Sequence, residues 1–414
     1  MASGPVPSAF WLWPFGAVLA AIAGLPLVAP RFWARDRNKL LVMLLPSLAV
    51  LVRYLWLDPA ALVRSGLDYV SFMTLLTSLF VIAGGLKLDG DLPATPRVNL
   101  AFLAAGAVLA SVVGTAGASM LLVRPLLITN QERRHVGHTV VFFIFLAANV
   151  GGCLSPLGDP PLFLGYLAGV PFTWSLRLLP AWGLACGLIL GIYGLLDAWM
   201  YARESTRDRM RDRLEVRPLR LAGGINLVLL LGIAASAALL TAPFRELAMA
   251  GLCLVSLRVT PAGLREANQF TLRPVREVAT LFAGIFVTML PALELLRARG
   301  GQLGLRDPWH FFWATGLVSS ILDNAPTYLA FLAIAQGLRL APEVVGVPHR
   351  LLEAVSLGAV FMGALTYVGN GPNFMVKAVA EERGVSMPGF GGYLVISGSV
   401  LLPVFGLVCW AFLR

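Results

Sequence analysis

Charge is scarce in this sequence: Asp, Glu, Lys and Arg together make up 13% of its 414 residues, against 58% hydrophobic residues. Soluble globular chains keep their apolar share near about 45–50%, so that class is excluded. The mean hydropathy of +0.79 places the chain among polytopic membrane proteins. Cysteine is scarce as well. Cys153, Cys186, Cys253 and Cys409 each stand inside an apolar run without metal-type spacing, which argues against a zinc site or disulfide framework and leaves packing roles. A basic n-region is also missing: the chain opens Met-Ala-Ser-Gly-Pro, and its first apolar run ends in Pro-Arg instead of a small-residue cleavage site, so it reads as a first span and not a removable signal. The formal net charge of +10 does not point to nucleic acid, because the arginines fall between apolar stretches, as in cytoplasmic loops.

A crossing takes about twenty apolar residues. On that ruler ten crossings are expected, near 11–30, 40–57, 68–86, 136–165, 174–198, 221–241, 246–260, 276–296, 351–380 and 390–412. Two further apolar stretches, 99–128 and 308–338, are too long for one crossing and are broken by polar knots, Gly-Thr-Ala-Gly-Ala-Ser at 114–119 and Asp-Asn-Ala-Pro-Thr at 323–327. Each reads as a re-entrant hairpin that enters and leaves on one side. The basic residues agree with that count: Arg31, Arg35, Arg37, Lys39, then Lys87 and Arg97, then Arg133 and Arg134, then the run from Arg203 to Arg220 including Arg213, then Arg258 to Arg276 all fall on alternate loops. The positive-inside rule makes those loops cytoplasmic and both termini extracytoplasmic, in a cell (inner) membrane.

The stretch 149–165, Asn-Val-Gly-Gly-Cys-Leu-Ser-Pro-Leu-Gly-Asp-Pro-Pro-Leu-Phe-Leu-Gly, cannot be a continuous helix, since each proline removes a backbone donor and blocks the carbonyl four residues earlier. At membrane depth such a break is tolerated only where it lines a cavity or is buried in protein. It has a counterpart. Gly152–Phe163 aligns with Gly363–Phe374 at an offset of 211, matching Gly, Leu, Gly, Pro and Phe, with Ser155 against Thr366 and Asp159 against Asn370; the two knots align at an offset of 208, Ser119 against Thr327 and Thr115 against Asp323. Five crossings per half is an odd number, so the halves enter the membrane in opposite senses. The expected fold is an all-α polytopic membrane protein of two inverted-topology repeats: residues 1–202 (hairpin 99–128, broken helix 136–170), a cytoplasmic charged linker at 203–220, and residues 221–414 (hairpin 308–338, broken helix 351–380).

Paired broken helices in two inverted halves are the best sequence pointer to a transport site at the bilayer midplane. An ionised aspartate there costs roughly 2.5–3.5 kcal/mol even on insertion scales, so Asp159 and Asp323 need a function or a partner. Hard cations such as Na⁺ take oxygen ligands. Asp159, Asp323, Asn324 and Asn370 are the expected Na⁺ ligands, and Asn149, Ser155, Gly158, Ser119, Thr327, Thr366, Gly369 and Asn373 complete the candidate ion or substrate site. A carboxyl removed from water holds its proton more tightly, which would set proton and Na⁺ in competition for the same oxygens. The plain alternative is that either aspartate merely caps a half-helix, Asp159 in front of Pro160-Pro161 especially. Arg124 is placed either to neutralise an aspartate or to snorkel; Arg53 and Glu277 read as interfacial anchors, and His135 and His138 as loop residues.

At these motifs the chain resembles the ion transporter superfamily that includes NhaD-type sodium/proton antiporters, citrate transporters, arsenite permeases and divalent-anion/sodium symporters. Asn149–Asp159 resembles the antiporters' unwound helix, Ser319–Thr327 their second hairpin and Gly369–Asn373 the second unwound helix. The resemblance covers roughly residues 66–412. It implies a homodimer in the lipid bilayer and an elevator movement of the hairpin and broken-helix unit, with no cofactor beyond the transported Na⁺ and H⁺. The first hairpin departs from the symporters' Ser-Asn-Thr signature, since Gly114–Ser119 carries no asparagine. Sodium/proton antiport is the first expectation. Cation-coupled uptake of citrate or another small carboxylate is the second, and oxyanion export the third. An aspartyl protease would also need two aspartates, but here they sit in a repeated transporter layout, so no enzyme and no nucleic-acid partner is expected.

Overall fold

The computed structural model describes residues 6–414 except Glu215; Met1–Pro5, on which the reading of the N-terminus rests, and the side chains of Leu27 and Arg213 lie outside the described residues. Sixteen of its helices carry the architecture. They are α1 Trp13–Val28, α2 Asp36–Leu57, α3 Pro59–Ala83, α4 Pro96–Val113, α5 Thr115–Thr129, α6 Gly137–Leu146, α7 Pro160–Leu167, α8 Leu179–Ala202, α9 Ile225–Leu239, α10 Phe244–Val259, α11 Arg273–Arg299, α12 Pro308–Ile321, α13 Asn324–Gly337, α14 His349–Phe361, α15 Gly371–Glu382 and α16 Phe390–Phe412. The helical membrane architecture expected from composition is present.

Among the described residues, eight helical segments are long and apolar enough to cross a membrane. The crossings expected at 221–241 and 246–260 correspond to the shorter α9 and α10, and that at 351–380 to α14 and α15 with a break between them. Conversely Pro96–Val113 is long enough to cross by itself, yet the chain reverses at once. Gly114 does this with φ +83, a left-handed conformation that costs a glycine little. The two ends of the α4/α5 pair meet again, where Asn99 and Asn130 exchange side-chain amide hydrogen bonds of 2.9 and 2.8 Å. In α12/α13 the reversal falls at Leu322-Asp323, and the end of α13 returns to the chain just before α12: Gly337 packs against Arg297 and Gly300 so closely that a Cβ would sit 2.6 Å from the Arg297 carbonyl oxygen.

The small antiparallel sheet was not expected. β1 (Lys87–Asp91) pairs with β2 (Arg217–Ala222) in the register Asp89 to Arg220, with a bulge before Asp91. The stretch 203–220 is therefore more than a solvated tether. A helix at Thr206–Leu214 precedes β2, the backbone N–H of Ala94 donates to Asp212 at 2.9 Å, and those of Arg134 and His135 donate to Glu204 at 3.3 Å. This end of the molecule is called the sheet side below.

Two hydrophobic cores organise the helices. One joins both helical pairs, both interrupted helices, α8 and α16, through Phe143, Phe145, Tyr193, Phe361, Tyr393 and Phe405. The other joins α1, α2, α3, α9, α10 and α11 through Phe15, Met43, Ile233 and Phe286, with Phe72 stacked on Phe282 at 4.6 Å; Ala118, Phe163 and Ala325 of the first group face it. Because lipid tails are as apolar as leucine, close backbone approach has to supply the adhesion that water expulsion supplies in soluble proteins. Gly358 against the Phe312 carbonyl brings α12 onto α14 in this way, and Gly316 against Met362 brings it onto the turn that follows α14. The four cysteines are free, and all but the half-buried Cys253 are buried.

Candidate functional site

The break in the first half begins where α6 ends at Leu146. Val150–Leu154 form a 3-10 turn, Ser155–Gly158 cross back over it, and Pro160-Pro161 start α7. The crossing is tight enough to demand glycine: a Cβ on Gly158 would lie 2.1 Å from the Gly152 carbonyl oxygen. The freed backbone is then satisfied by neighbours, as burial requires. Thr115 N–H, at the reversal of α4/α5, donates to the Gly158 carbonyl at 2.8 Å. Ser111 donates to the Gly151 carbonyl at 2.5 Å and accepts from Leu154 N–H, while Ser155 donates to the Ser111 carbonyl. The second half repeats the arrangement: Thr366 donates to the Ser320 carbonyl at 2.5 Å and accepts from the N–H groups of Val368 and Gly369, and Ser319 donates to the Ala359 carbonyl.

Asp159 lies at the meeting point of these elements, 1% exposed. Its Oδ1 accepts from Thr115 Oγ1 at 3.0 Å and from Asn370 Nδ2 at 3.1 Å, and its Oδ2 accepts from Asn324 Nδ2 at 2.5 Å. The donors come from the reversals of both helical pairs and from the second break. Although Asp159 occupies the N-cap position of α7, its side chain makes no capping bond. All three partners are neutral, so the carboxylate is held by hydrogen bonds and not by an ion pair. The two carboxamides and the hydroxyl also own oxygens, which rotation about their terminal torsions would present in place of the N–H and O–H groups. The same shell is thus able to receive a hard cation.

The two breaks are also tied to each other. Asn370 Nδ2 donates to the Ala148 carbonyl at 2.9 Å; Asn149 Nδ2 donates to Asn373 Oδ1 at 2.7 Å, and Asn373 in turn donates to the carbonyls of Gly363 and Thr366. Asn149 Oδ1 is fully buried without a hydrogen-bond partner among the described residues, beside Gly363.

A match to a family model spans residues 6–413, nearly the whole chain, and the family carries the description "Putative citrate transport". This chain belongs to that family. Among its relatives are uncharacterized transporters of Mycobacterium tuberculosis strains CDC 1551 / Oshkosh and ATCC 25618 / H37Rv, 26% identical over 356 residues, or 78% of this chain and 80% of theirs. A 46 kDa membrane protein of Mycobacterium leprae strain TN is 26% identical over 286 residues, 64% of this chain and 65% of its own. Membership agrees with the resemblance to the ion transporter superfamily and makes the chain a secondary transporter with multiple membrane-spanning helices.

Within this family member the expected site residues divide into three groups. Asp159, Asn324 and Asn370 come into direct contact, and Asn149, Asn373, Gly158, Gly369, Ser155 and Thr366 build the two breaks behind them. Asp323 is drawn differently: half-buried, it caps α13 by accepting from Ala325 N–H at 3.0 Å, so its neighbour Asn324 and not its own carboxylate meets Asp159. Thr327 bonds to the Asp323 carbonyl one turn back, and Ser119 is buried with no hydrogen-bond partner among the described residues. Thr115 and Ser111 had no place in the expected site. The signal for Thr115 was its alignment with Asp323.

The remaining polar candidates are structural. Arg124 reaches Gln269 Oε1 at 2.9 Å and approaches neither aspartate. Glu277 pairs with the buried Lys39 at 2.5 Å, and Arg53 stacks over Trp11. His138 Nε2 lies 2.8 Å from Asp197, which also pairs with Arg133 at 2.6 Å and accepts from Asn99.

Proposed function

We propose that this protein is a sodium/proton antiporter of the inner membrane whose exchange site is Asp159. The observation that carries this reading is the Asp159 carboxylate, buried and ringed by Thr115, Asn324 and Asn370 with no cationic side chain bonded to it. A lone buried carboxylate among neutral oxygen-bearing groups suits a small hard cation or a proton, one at a time. A tricarboxylate would need donors of positive charge, and it would meet Asp159 and Asp323 instead.

The wider architecture belongs to the same proposal. The helical pairs α4/α5 and α12/α13 are re-entrant hairpins of two inverted repeats, the sheet side is cytoplasmic, and both termini are extracytoplasmic. Alternating access moves the group of helices around the first core, with Asp159, past the group around the second, in a homodimer. The division of the packing into two main cores, which meet at Ala118, Phe163 and Ala325, supports this reading, since the group that carries the ion has packing of its own.

The test is Na⁺-driven proton movement in proteoliposomes without any organic anion. Wild type is expected to exchange and Asp159→Asn to lose exchange; robust exchange by that folded variant would sink the proposal. The family's description favours a second reading, cation-coupled transport of citrate with Asp159 holding the coupling cation. Cation-driven uptake of labelled citrate, with no proton exchange in its absence, would establish the second over the first.

A further inference from the structure

On the sheet side a cavity of about 430 Å³ opens between α5, α15, β1 and the loop at 267–269. Its volume lies in the range of small-molecule sites, roughly 300–1,000 Å³. Lys87, Arg124 and Arg383 line it; Lys87 is paired with Asp89 at 2.9 Å, whereas neither arginine is ion-paired with a carboxylate among the described residues, and Arg124 lies in the fields of both Arg383 and Glu382. Arg124 donates instead to Gln269 Oε1 at 2.9 Å, presented by a residue at φ +50, and Arg383, beyond the end of α15, is exposed. Two unpaired cations facing one space call for an anion. The acids beside them, Asp89 and Glu382, leave the lining net positive, and β2 adds Arg220 opposite Asp89.

The depth of the cavity decides which anion. α5 starts at Thr115 and α15 begins directly after Asn370, and both residues are bonded to Asp159. Arg124 on α5 and Val379 on α15 each lie nine residues further along, which at 1.5 Å per residue is about 13 Å. With Asp159 at the midplane, a placement that rests on the proposed function, the cavity is close to the edge of a hydrocarbon core about 15 Å deep on each side. The half-buried Leu121, Ile128 and Val379 continue its walls with apolar surface. Basic pockets between helices at the cytoplasmic surface suit acidic lipid headgroups. We propose that this cavity holds the phosphate headgroup of an acidic phospholipid, with Arg124 and Arg383 on the phosphate and the first acyl methylenes along Leu121, Ile128 and Val379. Bound there, the lipid takes Arg124 away from Gln269 and the Ala267 carbonyl, the two hydrogen bonds that Arg124 makes to the loop at 267–269.

The test is lipid retention by the intact protein, independent of transport. The protein is reconstituted in phosphatidylcholine vesicles doped with phosphatidylglycerol, extracted, and its co-purified lipid measured by mass spectrometry. Wild type is expected to enrich phosphatidylglycerol, and Arg124→Gln with Arg383→Gln to lower the enrichment by roughly thirty-fold at about one basic contact each. Arg383→Gln alone, at an exposed position past a helix end, covers the case of a misfolded double variant and is expected to show part of the loss, whereas Arg64→Gln, an exposed arginine of α3, should show none. Equal retention of the two lipids by wild type, or unchanged enrichment in Arg383→Gln, would overturn the proposal. Displacement of the bound lipid by millimolar inorganic phosphate would also overturn it, in favour of a soluble anion. A failure of Na⁺/H⁺ exchange with enrichment intact would count against the proposed function alone.

Discussion

Asn324 Nδ2 donates to Asp159 Oδ2 at 2.5 Å, joining the reversal of one helical pair to the broken helix of the other half across 165 residues of sequence. Asp323, the more conspicuous residue by charge, caps its own helix instead. The two aspartates are therefore expected to answer substitution differently. Asp159→Asn should reduce exchange by at least about a hundredfold, the loss of a group that holds the ion directly. Asp323→Asn should do less and leave thermal stability nearly unchanged, because Asn and Asp are equivalent at an N-cap. Flux and melting temperature measured on both variants decide this.

Competition between proton and Na⁺ at one carboxylate fixes the sign of the pH dependence. On the acid limb the apparent KM for Na⁺ should rise about tenfold per unit fall in pH, and on the alkaline side it should level off. A KM independent of pH across both limbs would show that the two ions do not share Asp159.

The crossing of Gly152 and Gly158 has no room for a side chain. Gly158→Ala is expected to destabilise the protein by about 1–3 kcal/mol through overpacking or local rearrangement and to abolish transport, since the loop carries Asp159. Gly371→Ala, at the start of α15, where a Cβ would meet nothing within 4 Å, serves as the matched control. Detergent-solubilised melting curves separate the two.

Asp197 is fully buried and shares Arg133, His138 and Asn99 at the open end of α4/α5. Arg133→Gln removes the arginine that pairs with Asp197 and should cost about 3–5 kcal/mol, as for a broken buried ion pair. The neighbouring Arg134, whose side chain is 74% exposed beside Asp208, should cost less than about 1 kcal/mol when changed to Gln. A comparable loss from both would show that the cluster is not the clamp on the open end of this pair.

Much of the site was legible before any coordinates because a membrane penalises irregular backbone and polar side chains so heavily. Asn149, Asp159, Asn324, Asn370 and Asn373 stand out against apolar surroundings, and the glycines and prolines around them mark the breaks. Ser111 did not stand out, since a single hydroxyl in an apolar helix bonds its own backbone without penalty, and Thr115 was marked only by its place in the first knot opposite Asp323. The sheet between β1 and β2 was equally silent: it joins segments far apart in sequence, at 87–91 and 217–222, and strands this short have no alternating pattern to read.

The sequence by itself determined the class of the protein, the two breaks and the reversals, because hydropathy, glycine and proline act locally along the chain. Which groups meet was decided only by tertiary structure. That Asn324 and not Asp323 reaches Asp159, that Asp159 forgoes its helix cap, and that Arg124 turns to Gln269 all depend on how elements distant in sequence are stacked. A side chain's partner is set by packing between helices, and no periodicity within one helix encodes it.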